Sequence, residues 1–175
     1  MVHKCPYCGH LNIAGSDHCE KCLHSFTQKD IPQPSKEKFQ RKLMTEKVSD
    51  FISKIPPIIL TPEDSVQTMI DQMQKFPTKG CVLICGKDKK IIGIASIRDI
   101  VLKVAGVIPD PSKVPMKNIM TSKPECLDKD ASLSFALNKM SIGKFRHVPV
   151  LDNGIPIGVV STRDLIDYLV TNKMK

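Results

Sequence analysis

The sequence has no tryptophan, two tyrosines and six phenylalanines among 175 residues. That scarcity argues against a broad aromatic platform for stacking single-stranded nucleic acid. No apolar run approaches the roughly 18 residues of a membrane-spanning helix, and the opening Met1-Val-His-Lys-Cys-Pro lacks an apolar leader. A soluble, cytoplasmic protein with no membrane partner is the expectation. No Gly-rich phosphate loop follows a strand, and no nucleophile–base–acid set stands out. Four of the five histidines, His3, His10, His18 and His24, lie among or next to the N-terminal cysteines. An enzyme is therefore not expected.

Hydrophobic residues make up 41% and charged residues 25%, an ordinary balance for a globular chain. The formal net charge of +8 fits nucleic acid, an acidic membrane surface, an anionic small ligand or simply a well-solvated surface. Cysteine use is uneven. Four of seven fall within Cys5 to Cys22, whereas Cys81, Cys85 and Cys126 sit in apolar segments.

Residues 1–26 have little apolar periodicity and cannot bury enough surface to fold unaided. Cys5-Pro-Tyr-Cys8-Gly9 and Cys19-Glu-Lys-Cys22 form two Cys-x-x-Cys knuckles separated by ten residues. Four thiolates in that pattern suit a closed, tetrahedral structural zinc site, with no position left for a catalytic water. Iron would accept the same ligands. The flanking His10, His18 and His24 could replace a ligand, but read rather as exposed or supporting residues. The segment resembles the short zinc ribbons that contact protein, nucleic acid or a neighbouring domain.

Residues 27–47 read as a linker and connecting helix. Pro32 and Pro34 favour extended chain, and Ser35 is placed to cap a helix. Phe39, Leu43, Phe51 and Ile55 mark an apolar face, opposite Lys36, Lys38, Arg41, Lys42 and Lys47. That basic face reads either as solvated or as a nucleic-acid contact.

The remainder is written twice. At an offset of 67, Val66, Met69, Ile70 and Met73 meet Leu133, Ala136, Leu137 and Met140, each set the stripe of an amphipathic helix. Gly80-Cys81-Val82-Leu83-Ile84 meets His147-Val148-Pro149-Val150-Leu151, a short strand. A longer turn in the first copy shifts the offset to 65, and Gly93-Ile-Ala-Ser96-Ile-Arg98-Asp99 meets Gly158-Val-Val-Ser161-Thr-Arg163-Asp164. Each copy reads strand, helix, strand, turn, strand, helix, an α/β module. Two copies together supply a core that one lacks. The expected domains are residues 48–110 and 111–175.

A serine ending a strand, three residues before an aspartate, is on its own a helix capping box. Repeated in register, with Arg146-His147-Val-Pro-Val in the second copy, the pattern resembles the CBS (cystathionine β-synthase) domain family in its tandem arrangement, the Bateman module. The resemblance spans Val48 to Val170. It implies a pair packed about a pseudo-twofold axis with two clefts. Ser96 and Asp99 would serve one cleft and Ser161 and Asp164 the other, with the carboxylates on ribose hydroxyls. Arg146 and His147 would face phosphate, with Arg98 and Arg163 as weaker candidates. It further implies a homodimer and a regulatory adenine-nucleotide sensor for AMP, ADP or ATP, acting in trans on an unknown protein partner. The alternative is a nucleic-acid-binding protein that uses the ribbon and basic helix, with the pair as dimerising scaffold.

Overall fold

The computed structural model describes residues 2–4, 10–13, 16, 18–21, 43–53 and 55–173. The chain divides into two compact units, Met1–Met44 and Thr45–Lys175.

In the first unit, β1 (Val2–Lys4) pairs antiparallel with β2 (Leu11–Ile13), with Lys4 opposite Leu11. The two strands flank the first cysteine knuckle. Asn12 is the buried polar residue here, 1% exposed. Its Nδ2 donates to the His10 carbonyl and its Oδ1 accepts from the Glu20 N–H, each at 3.0 Å. One amide thus ties the first cysteine segment to the second.

The second unit holds both repeats. The first contains β3 (Ile59–Leu60), α1 (Val66–Lys75), β4 (Cys81–Cys85), β5 (Ile91–Ser96) and the turn α2 (Ile97–Asp99), which runs into a π-helical turn, Ile100–Val104. β6 (Thr121–Ser122) follows as the edge strand of the same sheet, ordered β3-β4-β5-β6. The second contains β7 (Leu127–Asp128), α3 (Leu133–Gly143), β8 (His147–Asp152), β9 (Ile155–Ser161) and α4 (Thr162–Lys173), with sheet order β7-β8-β9. In both, the first two strands are parallel and cross over through a helix, and the third is antiparallel. The turn Asn153-Gly154 has φ of 50° and 82°, the two left-handed residues that a tight hairpin needs.

The helix stripes read from the sequence face the core. Val66, Met69 and Met73 are buried on α1, and Leu133, Ala136 and Met140 on α3. Each such side chain contributes about 1.5–3 kcal/mol on burial. Ser65 and Ser132 cap these helices, accepting from the N–H groups of Thr68 (3.1 Å) and Phe135 (3.3 Å).

Of the expected connecting helix, Leu43–Thr45 are helical, and Lys36, Lys38, Phe39, Arg41 and Lys42 lie outside the described residues. Phe51, Ile55 and Lys47 do not continue that helix. Val48–Phe51 is a 3-10 turn, because its backbone is recruited by the second repeat. Val48 N–H donates to the Ala131 carbonyl (2.8 Å), and Leu133 N–H to the Glu46 carbonyl (3.0 Å). Lys47 bridges Ser132 and pairs with Asp130 at 2.6 Å.

The same lead segment recurs ahead of the second repeat and packs on the first. Met116 N–H donates to Asp64 (2.8 Å), Val66 N–H to Val114 (2.9 Å), and Pro115 bridges Ser65. Val48 and Met116 are both fully buried. So each repeat is completed by the segment that leads into the other.

The motif glycines make room for this exchange. A Cβ on Gly158 would lie 2.8 Å from Ile52 Cβ, and one on Gly93 would lie 2.4 Å from Met120 Sδ. Ile52 is branched at the contact and cannot swing away. Gly158→Ala is therefore expected to cost about 1–3 kcal/mol by overpacking, seen as a lower urea midpoint. An unchanged midpoint would show that Ile52 is loosely held.

Candidate functional site

β4 and β5 pair Cys81 with Ser96, and β8 and β9 pair His147 with Ser161. The start of the second strand and the motif serine thus lie side by side in each repeat. Gly80 and His147 are equivalent positions, and they meet across the repeats. A Cβ on Gly80 would sit 2.3 Å from His147 Nε2. Equivalent residues touch only where a pseudo-twofold relation brings them to its axis. The imidazole fills the space that the glycine leaves.

The serine and aspartate of each motif bind one another. Ser96 N–H and hydroxyl donate to Asp99 Oδ2 at 2.8 and 2.9 Å. Ser161 donates likewise to Asp164 Oδ2 at 2.7 and 2.6 Å. This is the capping-box geometry, and it spends one carboxylate oxygen in each copy.

The other oxygen differs. Asp99 Oδ1 pairs with Lys103 Nζ at 2.8 Å, and that ammonium also donates to the Ile119 carbonyl at 2.6 Å. Burial works to raise the Asp99 pKa, but hydrogen bonds from Lys103 and Ser96 outweigh it and hold the carboxyl below its ordinary range. Asp164 Oδ1 has no hydrogen-bond or ion-pair partner among the described residues. The residue matching Lys103 at the offset of 65 is Tyr168. Its ring meets Phe51 edge-on at 4.8 Å. Burial and the neighbouring Glu46 carboxylate push its phenol well above the ordinary value.

Arg146, Arg98 and Arg163 are exposed, and none has a carboxylate partner among the described residues. Arg146 and Asp164 both act on His147: burial lowers its pKa first, the Arg146 charge lowers it further, and Asp164 opposes them. Arg146, His147 and Asp164 therefore share one electrostatic neighbourhood. In the first repeat, Lys79 stands where Arg146 does, and its ammonium is turned to the Ile55 carbonyl at 2.6 Å.

Burial pushes the Cys81 thiol up to about 12, and burial with Glu125 pushes Cys126 up to about 11. Both are protonated thiols, unsuited to nucleophilic or redox work. A cavity of about 310 Å³ lies at the opposite strand ends, lined by Ile59, Thr61, Cys85, Gly86 and, from the second repeat, Ile155 and Pro156. None of the motif residues lines it.

Of the expected metal ligands, Cys19 is fully buried, and Cys5, Cys8 and Cys22 lie outside the described residues. Among the described residues no group of three or more metal-ligating side chains forms. No helix among them is long and apolar enough to cross a membrane. Lys103 and Tyr168 were not singled out from the sequence. The signal for Lys103 was there, since Asp99 and Lys103 stand four apart at a helix start.

Residues 48–106 and 116–171 each match the CBS domain family. The chain belongs to that family, with the domain present twice. It is 28% identical over 127 residues to the CBS domain-containing protein CBSCBSPB1 of Arabidopsis thaliana, covering 72% of this chain and 23% of that one. It thus spans under a quarter of that relative's length. Hypoxic response protein 1 of Mycobacterium tuberculosis is 30% identical over 107 residues, covering 61% of this chain and 75% of that protein. Among solved structures, a CBS domain protein from Pyrobaculum aerophilum complexed with AMP shares 28% identity at a TM-score of 0.62, covering 69% of this chain and 90% of that one.

The His147 environment gives a pH dependence. The unfolded chain binds a proton near the ordinary value of 6.5, and the folded chain only at lower pH. The unfolded state therefore holds more protons in that window. Stability is full above pH 6.5 and falls as pH drops through it. Thermal melting from pH 8 to 5 should show this slope, and His147→Gln should flatten it. An equal slope in the variant would assign the effect elsewhere.

Proposed function

We propose that the CBS pair is a regulatory sensor that binds an adenine nucleotide, AMP, ADP or ATP, and acts in trans on a protein partner rather than as an enzyme. The observation that carries this reading is the Asp164 neighbourhood. One carboxylate oxygen is fixed by Ser161, the other has no partner among the described residues, and Arg146 and His147 stand close by. An ionised carboxylate accepts hydroxyl donors well, and a basic side chain at a helix start suits phosphate. Ser161 and Asp164 would hold ribose, and Arg146, His147 and Arg163 phosphate. Ser96, Asp99 and Arg98 are the counterparts in the other cleft. The AMP-bound relative from Pyrobaculum aerophilum supports the ligand class.

A nucleotide at 100 times its dissociation constant should add about 2.7 kcal/mol of stability. AMP, ADP and ATP, with NAD and S-adenosylmethionine for comparison, are to be tested by melting temperature. Asp164→Ala should weaken the binder about tenfold to a hundredfold, the worth of hydrogen bonds to a charged acceptor. If none of the five shifts the melting curve, the sensor reading is lost.

The N-terminal unit we assign to a structural zinc ribbon with Cys5, Cys8, Cys19 and Cys22 as ligands. The buried Cys19 and the Asn12 amide that joins the two cysteine segments support it. Zinc supplies the folding energy that so small a unit lacks. Elemental analysis should find a single zinc per chain, lost in Cys19→Ser. Metal-free protein with an intact hairpin would refute it.

A further inference from the structure

The two repeats share a scaffold but not the state of their motif carboxylates. Asp99 Oδ1 is held by Lys103 at 2.8 Å, while Asp164 Oδ1 has no partner among the described residues. Lys103 is itself anchored twice, since its ammonium also donates to the Ile119 carbonyl at 2.6 Å. Ile119 is buried in the lead segment that crosses from the second repeat. The backbone is irregular here as well. The closing helix of the first repeat passes into a π-helical turn over Ile100–Val104, with Ala105 N–H donating to the Ile100 carbonyl at 2.9 Å. Such turns often stand at functional positions. The closing helix of the second repeat is regular, and it places Tyr168 where Lys103 would be.

We infer that Lys103 is an internal occupant of the first repeat's carboxylate, so that nucleotide binds first and most tightly through Asp164. This rests on the nucleotide reading above and says which cleft fills. To use Asp99, two ribose hydroxyls must displace an ammonium from a charge-assisted bond and leave the Ile119 carbonyl to water. To use Asp164, they displace no hydrogen-bond or ion-pair partner among the described residues. The difference in affinity is expected to be at least about tenfold. Lys103 acts through Asp99 and touches no ligand, so it is a specificity-determining residue by position. The asymmetry makes the pair a sensor with one working site and one held in reserve.

The test titrates AMP, ADP and ATP in turn into the full-length chain by calorimetry. The native protein should bind the active nucleotide at one site. Asp164→Asn, which keeps an oxygen for Ser161, should remove it. Lys103→Met in that background should raise the residual affinity at least about tenfold, and Lys103→Arg should not. In the native background Lys103→Met should raise the stoichiometry from one to two. Two equal sites in the native chain would overturn the inference and leave the nucleotide reading standing. So would a Lys103→Met variant that binds no better, since Lys103 would then block nothing, or one that binds more weakly, since Lys103 would then be a ligand contact. No binding of any nucleotide by the native chain would remove both.

Discussion

Each repeat depends on a segment that belongs, in sequence, to the other. The strands and crossover helix of one CBS repeat leave the start of that helix and the loop before it with backbone groups facing outward. Buried groups of that kind need partners. The lead segments provide them. Val48 and Met116 enter the two cores while the flanking backbone closes onto Ala131 and Leu133 on one side and Asp64 and Val66 on the other. The exchange couples the repeats more tightly than apolar contact alone would, because separating them would strip hydrogen bonds from both.

The same exchange explains why the motif begins with glycine. Gly93 and Gly158 lie in strands, where a residue without a side chain normally weakens the sheet. Here Met120 and Ile52 pass over them too closely for a Cβ. The glycine of the repeated Gly-x-x-Ser-x-x-Asp is therefore a packing residue, while its serine and aspartate bind one another in a capping box. Gly80 has a related role at the axis, where it admits the His147 ring.

The repeat, its helix stripes and the Ser–Asp pairs were legible in the sequence because periodicity and register survive in one dimension. The lead segments were not. Residues 46–52 and 114–120 are short, carry no helical or alternating pattern, and match each other only through where they pack. Lys47, Phe51 and Ile55 fit a helix by spacing, yet Lys47 and Phe51 are taken up by the second repeat, which took precedence over that local preference. Lys103 was missed for a similar reason. Register between the copies reveals what they share, and the residue that distinguishes the two carboxylates is one that they do not. The four-cysteine pattern was the plainest chemical signal, and three of its members lie outside the described residues.

A sensor needs an element whose arrangement differs with and without ligand, and a ligand can shift it only through contacts that differ between the states. The motif aspartates sit at the starts of the closing helices, next to the lead segments that join the repeats. Lys103 links Asp99 to the Ile119 carbonyl, so a change of partner at that carboxylate reaches the lead segment of the second repeat directly. On the other side, α4 begins with the Asp164 cap and carries Tyr168 against Phe51 and Glu46. Those two residues lie in the other lead segment, which continues back through Lys47 and Thr45 towards the N-terminal unit. The helix that would feel a nucleotide thus holds the stretch of chain by which the repeats are joined to the cysteine-bearing unit. In the first copy the path from carboxylate to lead segment is a single side chain long, whereas in the second it runs from the Asp164 cap along α4 to Tyr168 and from there to Phe51.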